Sequence, residues 1–192
     1  PPGVPGRPLH EREVEQRLRE RLARLIGANT PADIAIAKNT SEALSIIAQG
    51  LSWQAGDEIL GIAQEFPSNR VVWVALADQG VGWSPLDLDD VPDPEAELMA
   101  RCTARTRMMA VSWVQYGRGL RLDLERLGAF CRAREILLCV DAIQGLGALP
   151  FDLARIQADF VVADGHKWML GPEGVALLYV RPARPALLVS RS

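Results

Sequence analysis

The stretch Ala163-Asp-Gly-His-Lys-Trp-Met-Leu-Gly-Pro-Glu-Gly174 decides the fold, because it places a lysine just beyond an apolar, strand-like run at 159–163. His166 precedes that lysine, and a Gly-Pro-Glu-Gly turn begins four residues after it. Burial at a strand end would disfavour the charged amine and lower its pKa, as an imine-forming nucleophile requires. The alternative is a solvated lysine in a surface turn, the usual environment of this residue. Because Lys38 is the only other lysine in the chain, we favour a functional Lys167.

Amphipathic segments and apolar runs alternate along the whole sequence. Apolar residues recur at helical spacing in the segments 11–26, 41–51, 69–77, 95–102 and 123–134. Short apolar runs predict strands at 34–37, 58–62, 81–83, 108–114, 136–140, 159–163 and 175–180. Continuously apolar strands are typical of a sheet covered on both faces, so we predict an α/β fold with a mostly parallel central sheet and helices on both faces. The turn at 171–174 is expected to introduce an antiparallel member.

The charge and the apolar content of the chain exclude several classes of protein. A net charge of −3 provides no basic surface for nucleic acid or an anionic membrane. No apolar run approaches the ~18 residues of a membrane span.

The first six residues lack the apolar region of a signal peptide and an initiator methionine, and the sequence from 181 onward is linker-like. We therefore expect residues 1–192 to form one domain taken from a longer chain.

The three cysteines indicate the cellular compartment of the protein rather than a catalytic or metal site. Cys102, Cys131 and Cys139 are widely spaced and form no C-x-x-C pair. An odd number without a framework is typical of a reducing compartment such as the cytoplasm. Packing in the core is favoured over metal binding or nucleophilic catalysis.

Polar clusters follow four of the predicted strands, at 39–41, 65–69, 141–144 and 165–167. The carboxyl ends of parallel strands meet at one edge of a sheet, where ligands bind. The first cluster, Asn39-Thr40-Ser41, begins a helix and suits an anion such as phosphate, although the cluster taken alone is better explained as a simple N-cap. Neither G-x-G-x-x-G nor a Walker motif occurs in the chain, which disfavours a nucleotide-binding domain.

Two further clusters offer partners for a planar, cationic ring. Asp141 ends a strand, where its carboxylate can pair with a protonated ring nitrogen, or can simply cap the following turn. Gln144 can donate to a phenolic oxygen of the same ring. Phe66 can stack on the ring or belong to the core. In chain order, an anion cap, a ring stacker, a ring-nitrogen partner and a lysine predict a site for pyridoxal 5′-phosphate (PLP).

On these motifs, above all 140–152 and 165–174, the chain resembles the class V aminotransferases. These fold type I PLP enzymes include cysteine desulfurases and isopenicillin-epimerase-like proteins, and the resemblance covers residues 11–182. It implies that Lys167 forms the internal aldimine, a Schiff base, and moves the proton at the substrate Cα. It also implies further cofactor contacts: the pyridinium nitrogen to Asp141, the 3′-oxygen to Gln144, the ring to Phe66, and the phosphate to Thr40, Ser41 and His166.

Three positions depart from the pattern of the resembling family. Phe66 stands where cysteine desulfurases usually carry histidine, which weighs against a desulfurase. Asp164 stands where Ser or Thr usually touches phosphate, and its carboxylate would repel that group. The family often has an Asn that touches the cofactor at the preceding strand end, and an ungapped match places Tyr116 at that position, beside Gln115. We favour Gln115 for that contact, since strand neighbours point to opposite faces.

The resemblance implies the function and its alternatives. We expect an aminotransferase-like PLP enzyme that acts on an amino acid or keto acid by transamination or related Cα chemistry. The alternatives are a desulfurase, lyase or epimerase of the same family, or a non-catalytic PLP-binding fragment. The chain matches the large PLP-binding domain without the small domain that usually binds the substrate carboxylate. Family members are dimers, so a homodimer is also implied.

Overall fold

The computed structural model describes residues 9–182, and the predictions for both chain ends lie outside the described residues. Helices and strands alternate as the sequence predicts. In chain order they are α1 (Leu9–Ile26), β1 (Ile34–Ala37), α2 (Thr40–Gly50), β2 (Glu58–Ile62), α3 (Ser68–Val74), β3 (Gly82–Leu86), α4 (Pro94–Arg101), β4 (Thr106–Ser112), α5 (Leu124–Ala133), β5 (Leu137–Asp141), α6 (Leu153–Ile156), β6 (Phe160–Asp164) and β7 (Ala176–Val180).

The differences from the predicted elements are local. The one-turn helix α6 and a 3₁₀ turn at Pro31–Asp33 were not predicted, because segments this short carry no measurable periodicity. The helix expected at 69–77 is α3 followed by a 3₁₀ segment, Ala75–Gln79. Strand β4 ends at Ser112 rather than at 114, and the backbone N–H of Gln115 then bonds to Leu120 O at 2.8 Å.

All seven strands form one sheet in the order β1-β7-β6-β5-β4-β2-β3. The pairs β2–β3, β2–β4, β4–β5 and β5–β6 are parallel, whereas β7 is antiparallel to both β6 and β1. The predicted antiparallel member is therefore β7. Because β7 reverses direction between two strands that run the same way, the carboxyl ends of the other six strands share one edge.

The core consists of two apolar layers, one on each face of the sheet. Consecutive residues of β5 alternate between them, with Leu137 and Cys139 in one layer and Leu138 and Val140 in the other. Helices α2 and α3 contribute to the first of these layers, and α1 and α5 contribute to the second. The prediction of helices on both faces is confirmed, and it explains why these strands are apolar throughout.

The three cysteines are unpaired in the structure. Burial raises the pKa of Cys102 to about 11 and that of Cys131 to about 12. Since a thiol reacts as its thiolate, neither is a nucleophile at neutral pH, as the packing interpretation requires. Within residues 9–182, no helix is both long and apolar enough to cross a membrane.

Candidate active site

The register of the sheet brings the first and last polar clusters together. Ala37, at the end of β1, and Asp164, at the end of β6, both pair with Ala176 of β7. The start of α2 and the turn that carries His166 and Lys167 therefore flank the same strand, roughly 10 Å apart at the usual strand spacing. This proximity connects residues more than a hundred positions apart in sequence.

The other two clusters adjoin this pair along the same edge. Asp141, at the end of β5, pairs with Ser112 of β4 and with Val162 of β6. The loop that carries Phe66 follows β2, which is the next strand beyond β4. The predicted site residues thus form a row across the edge, with Asp141 at its centre.

The start of α2 combines a helix cap with an unused hydroxyl. Asn39 caps the helix, because its Oδ1 accepts from the Glu42 N–H at 2.8 Å. Thr40 is buried, and within residues 9–182 its Oγ1 has no hydrogen-bond partner. Ser41 is exposed. The capping interpretation is therefore right for Asn39, whereas the buried Thr40 hydroxyl lacks the partner that buried polar groups normally have.

Asp141 is a buried acid without a cation beside it in the described structure. It is 2% exposed, and its Oδ1 accepts from the Ile143 N–H at 3.1 Å. Burial raises its pKa to about 7; the Ile143 bond opposes this rise, while repulsion from Glu65 and Asp164 adds to it. Three acids in one buried region favour binding of a cationic group, which would restore the charged form of Asp141.

Glu65 is a structural part of the site to which the sequence analysis gave no role. Its buried carboxylate accepts from the Ser112 N–H at 2.6 Å and from the Ser112 hydroxyl. Burial raises the pKa of Glu65, and these hydrogen bonds partly offset the rise. The contact joins the loop after β2 to the end of β4 and so positions Phe66. A glutamate three residues after a buried strand was the only sequence signal for this contact.

Phe66 is not a core residue, so that alternative is wrong. Its ring is 49% exposed and meets Tyr116, which is 52% exposed, edge to face. The ring centroids are 5.2 Å apart and the planes are 88° apart. Tyr116 therefore supports the phenyl ring in an orientation set by the edge-to-face preference of aromatic pairs.

The side chain of Gln115 is hydrogen-bonded to the backbone of two loops. Its Nε2 donates to Gln64 O at 2.6 Å, and its Oε1 accepts from Gly117 N–H at 2.8 Å and Arg118 N–H at 2.6 Å. The same loops line a cavity of about 420 Å³ beside Glu65 and Tyr116. These contacts give Gln115 a structural role, and a cofactor contact would have to use its second amide proton.

The turn that carries Lys167 is closed by its own backbone. Gly171 N–H donates to Gly165 O at 2.8 Å, and Gly165 N–H donates to Val175 O at 2.8 Å. Lys167 itself is exposed. The expectation that burial activates this lysine is therefore wrong for the chain, because the turn extends beyond the end of β6 and carries the side chain out of the sheet.

Two side-chain contacts connect the turn that carries Lys167 to the ends of neighbouring strands. Trp168 Nε1 donates to Gln144 Oε1 at 3.3 Å. His166 Nδ1 lies 3.1 Å from Asp164 Oδ1. Trp168 is the second residue whose contribution the sequence analysis missed, since nothing in the local pattern distinguishes it from a surface tryptophan.

Gly147 permits a close approach between the loop after β5 and the lysine turn. Its φ is +98°, and a Cβ placed there would lie 2.4 Å from the carbonyl oxygen of Trp168. We expect Gly147→Ala to destabilise the protein by about 2–5 kcal/mol and to displace the lysine turn, because left-handed strain adds to a backbone clash. Urea denaturation measures the change in free energy of unfolding.

Gly56→Ala is the matched control for this substitution. Gly56 has a φ of +94°, and no atom lies within 4 Å of the position of its Cβ. Only the strain of about 1–2 kcal/mol should remain in this variant. Equal destabilisation by the two substitutions would contradict the assigned contact between Gly147 and the turn.

The family model for class V aminotransferases matches residues 10–188. The isopenicillin N epimerase of Streptomyces clavuligerus is 37% identical over 171 residues, which cover 86% of this chain and 43% of the epimerase. A probable cysteine desulfurase of Methanothermobacter thermautotrophicus is 34% identical over 166 residues, covering 85% and 41%. The chain spans less than half the length of either relative.

Solved structures of the cystine C–S lyase C-DES have the same fold as this chain. Two of them match with TM-scores of 0.90 and 0.89 at 28% identity, covering 97% of this chain and 51% and 50% of theirs. One is a complex of that cystine C–S lyase with its reaction product, cysteine persulfide. The other is a variant with glycine covalently linked to the PLP cofactor.

Proposed function

Because the chain belongs to the class V aminotransferase family, we propose that it is the PLP-binding domain of an enzyme acting at the α-carbon of an amino acid. One observation carries the proposal: the sheet brings Thr40, Asp141 and Lys167 to a single edge. Each comes from a different strand end, and the spacing along the edge suits one extended ligand.

The residues at this edge fit the cofactor. The buried Thr40 hydroxyl at the start of α2 has no partner within residues 9–182, which suits a phosphate at a helix N-terminus. Asp141 lies in a buried, acid-rich region that favours a protonated ring nitrogen. Phe66 offers a half-exposed ring for stacking. These observations support cofactor binding independently of the family match.

Each residue has a separate task in the proposed site. Asp141 holds the ring nitrogen protonated, and Gln144, held by Trp168, contacts the phenolic oxygen. The phosphate-binding residues are Thr40, Ser41 and His166. When bound, PLP withdraws electrons from the substrate α-carbon. Lys167 would hold the cofactor through Nζ, and its free amine would take and return the proton at the substrate Cα.

Phe66 bears on the reaction subtype. A phenyl ring can stack but cannot transfer a proton, so Lys167 is the proton carrier at Cα that this site offers. That arrangement suits transamination or epimerisation. Cysteine desulfuration is the second candidate, because the relatives include a probable cysteine desulfurase. Conversion of cysteine to alanine, with sulfide released when a thiol reductant is present, distinguishes it from amino-group transfer to a keto acid.

The activity and assembly of the whole protein remain part of this proposal. The chain corresponds to about two fifths of the relatives' length, and we propose that it is their large, cofactor-binding domain. We also propose that the protein acts as a homodimer. Sedimentation of the full protein tests that assembly, and a monomer that turns over substrate would contradict it.

Titration with PLP tests the function directly. We expect a visible absorbance band that borohydride removes while attaching the cofactor to the protein. Peptide mass mapping should then locate the cofactor on Lys167 and leave Lys38, the only other lysine, unmodified. Equal labelling of both lysines, or no band at saturating PLP, would overturn the proposal.

A further inference from the structure

Asp164 occupies a position where a carboxylate is costly. It is the last residue of β6 and only 6% exposed. Within residues 9–182, no aligned hydrogen bond reaches its Oδ1, so its contact with His166 Nδ1 at 3.1 Å is a close charge contact. A buried carboxylate oxygen without an aligned donor is costly, and a positive charge beside it lowers that cost. His166 is the neighbour that can supply this charge.

The contact also determines what His166 can offer to a ligand. The His166 side chain is 32% exposed, and no contact of its Nε2 is found within the described residues. A histidine that pairs with a carboxylate at one nitrogen and a phosphate at the other must donate from both, which only the imidazolium form does. Because Asp164 contacts Nδ1, Nε2 is the nitrogen that His166 can offer to a phosphate.

We propose that Asp164 is a positioning residue for the cofactor phosphate, acting through His166. The inference rests on the proposed function, because it assumes that PLP binds at this edge. It also accounts for a carboxylate at position 164, which was expected from the sequence to repel the cofactor phosphate. The buried carboxylate of Asp164 belongs to the strand, whereas the more exposed ring of His166 belongs to the turn, so a phosphate can approach the ring rather than the carboxylate.

The test compares two ligands that differ only in the phosphate. PLP and pyridoxal are titrated into the wild-type protein and into Asp164→Asn, with Asp164→Ser as the second variant if the first does not fold. We expect Asp164→Asn to lower the ratio of PLP affinity to pyridoxal affinity about tenfold. Any effect of Asp164 on the nearby Asp141 acts on the ring nitrogen of both ligands, and it cancels in the ratio of affinities.

A double-mutant cycle shows whether the effect passes through His166. In a His166→Ala background, Asp164→Asn should leave the ratio of PLP to pyridoxal affinity unchanged. Tighter PLP binding by Asp164→Asn would overturn the inference in favour of direct repulsion. Equal weakening of both ligands, or a persistent effect without His166, would overturn it in favour of a general structural role. Failure of the wild-type protein to bind either ligand would instead overturn the proposed function.

Discussion

Replacing Lys167 with alanine is expected to abolish covalent cofactor attachment and to reduce turnover at least about 10³-fold. The loss follows from removing both the amine that holds the cofactor and the base at the substrate Cα. The fold should be unaffected, because the side chain is exposed and lies beyond the end of β6. Measurement requires the absorbance spectrum with PLP, borohydride trapping and the rate with an amino acid.

Lys38 supplies the matched control for this experiment. It is the only other lysine, is also exposed, and also lies just beyond a strand end, that of β1. Lys38→Ala should retain the visible band and the trapping of cofactor. A Lys167→Ala protein with the wild-type band would contradict the assignment, as would loss of the band in Lys38→Ala.

Substituting Asp141 with asparagine should weaken catalysis and stabilise the cofactor-free chain. Without the carboxylate, the ring nitrogen is no longer held as a cation, and we expect turnover to fall about 10²–10³-fold. Burial raises the pKa of Asp141 from 3.8 to about 7 in the folded chain. Between these two values the folded state binds a proton that the unfolded state has lost, so the free energy of unfolding falls as pH rises.

The stability of the Asp141→Asn variant should therefore depend less on pH. At pH 8 it should exceed that of the wild type by a few kcal/mol, at most about 4, because asparagine carries no proton to lose. Urea denaturation of the cofactor-free proteins at pH 5 and pH 8 measures the difference. The part of the pH dependence that comes from Glu65, whose pKa burial also raises, should remain.

Asp159→Asn is a control for which we expect the opposite change in stability. It is also buried, but it lies at the other end of β6, where it accepts from the Leu138 N–H at 2.9 Å and pairs with Arg181 at 3.6 Å. Asp159→Asn should destabilise the protein at pH 8, since it leaves a poorly exposed guanidinium without its counter-charge. If both substitutions destabilised the protein, the assigned burial cost of Asp141 would be wrong.

The fold was largely predictable because its elements are encoded locally. The segments predicted as strands at 34–37 and 58–62 match β1 and β2 residue for residue, and α1 ends at Ile26 as expected. Periodicity and helix-stop residues lie within each segment, so no knowledge of its neighbours is needed. Helix α6 was missed because one turn is too short to show a period.

The sequence predicted polar residues at strand ends that the sheet brings to one edge, but it did not predict all of their environments. The order of polar residues after strands singled out Thr40, Asp141 and Lys167, whose roles remain predictions. The exposure of Lys167 was predicted wrongly, because the apolar run before it does not reveal how far the turn extends. The backbone contacts of Gln115 were also missed, since they depend on where the loop after β2 lies.

By itself, the sequence determined the α/β alternation, the strand ends that carry polar residues and the family to which the chain belongs. The tertiary structure alone decided which strand ends lie side by side and which side chains pair across them. Glu65 and Ser112 are 47 residues apart, and their contact exists only because β4 lies next to β2. Periodicity acts over a few residues, whereas strand order results from packing of the whole chain, so local sequence patterns do not contain it.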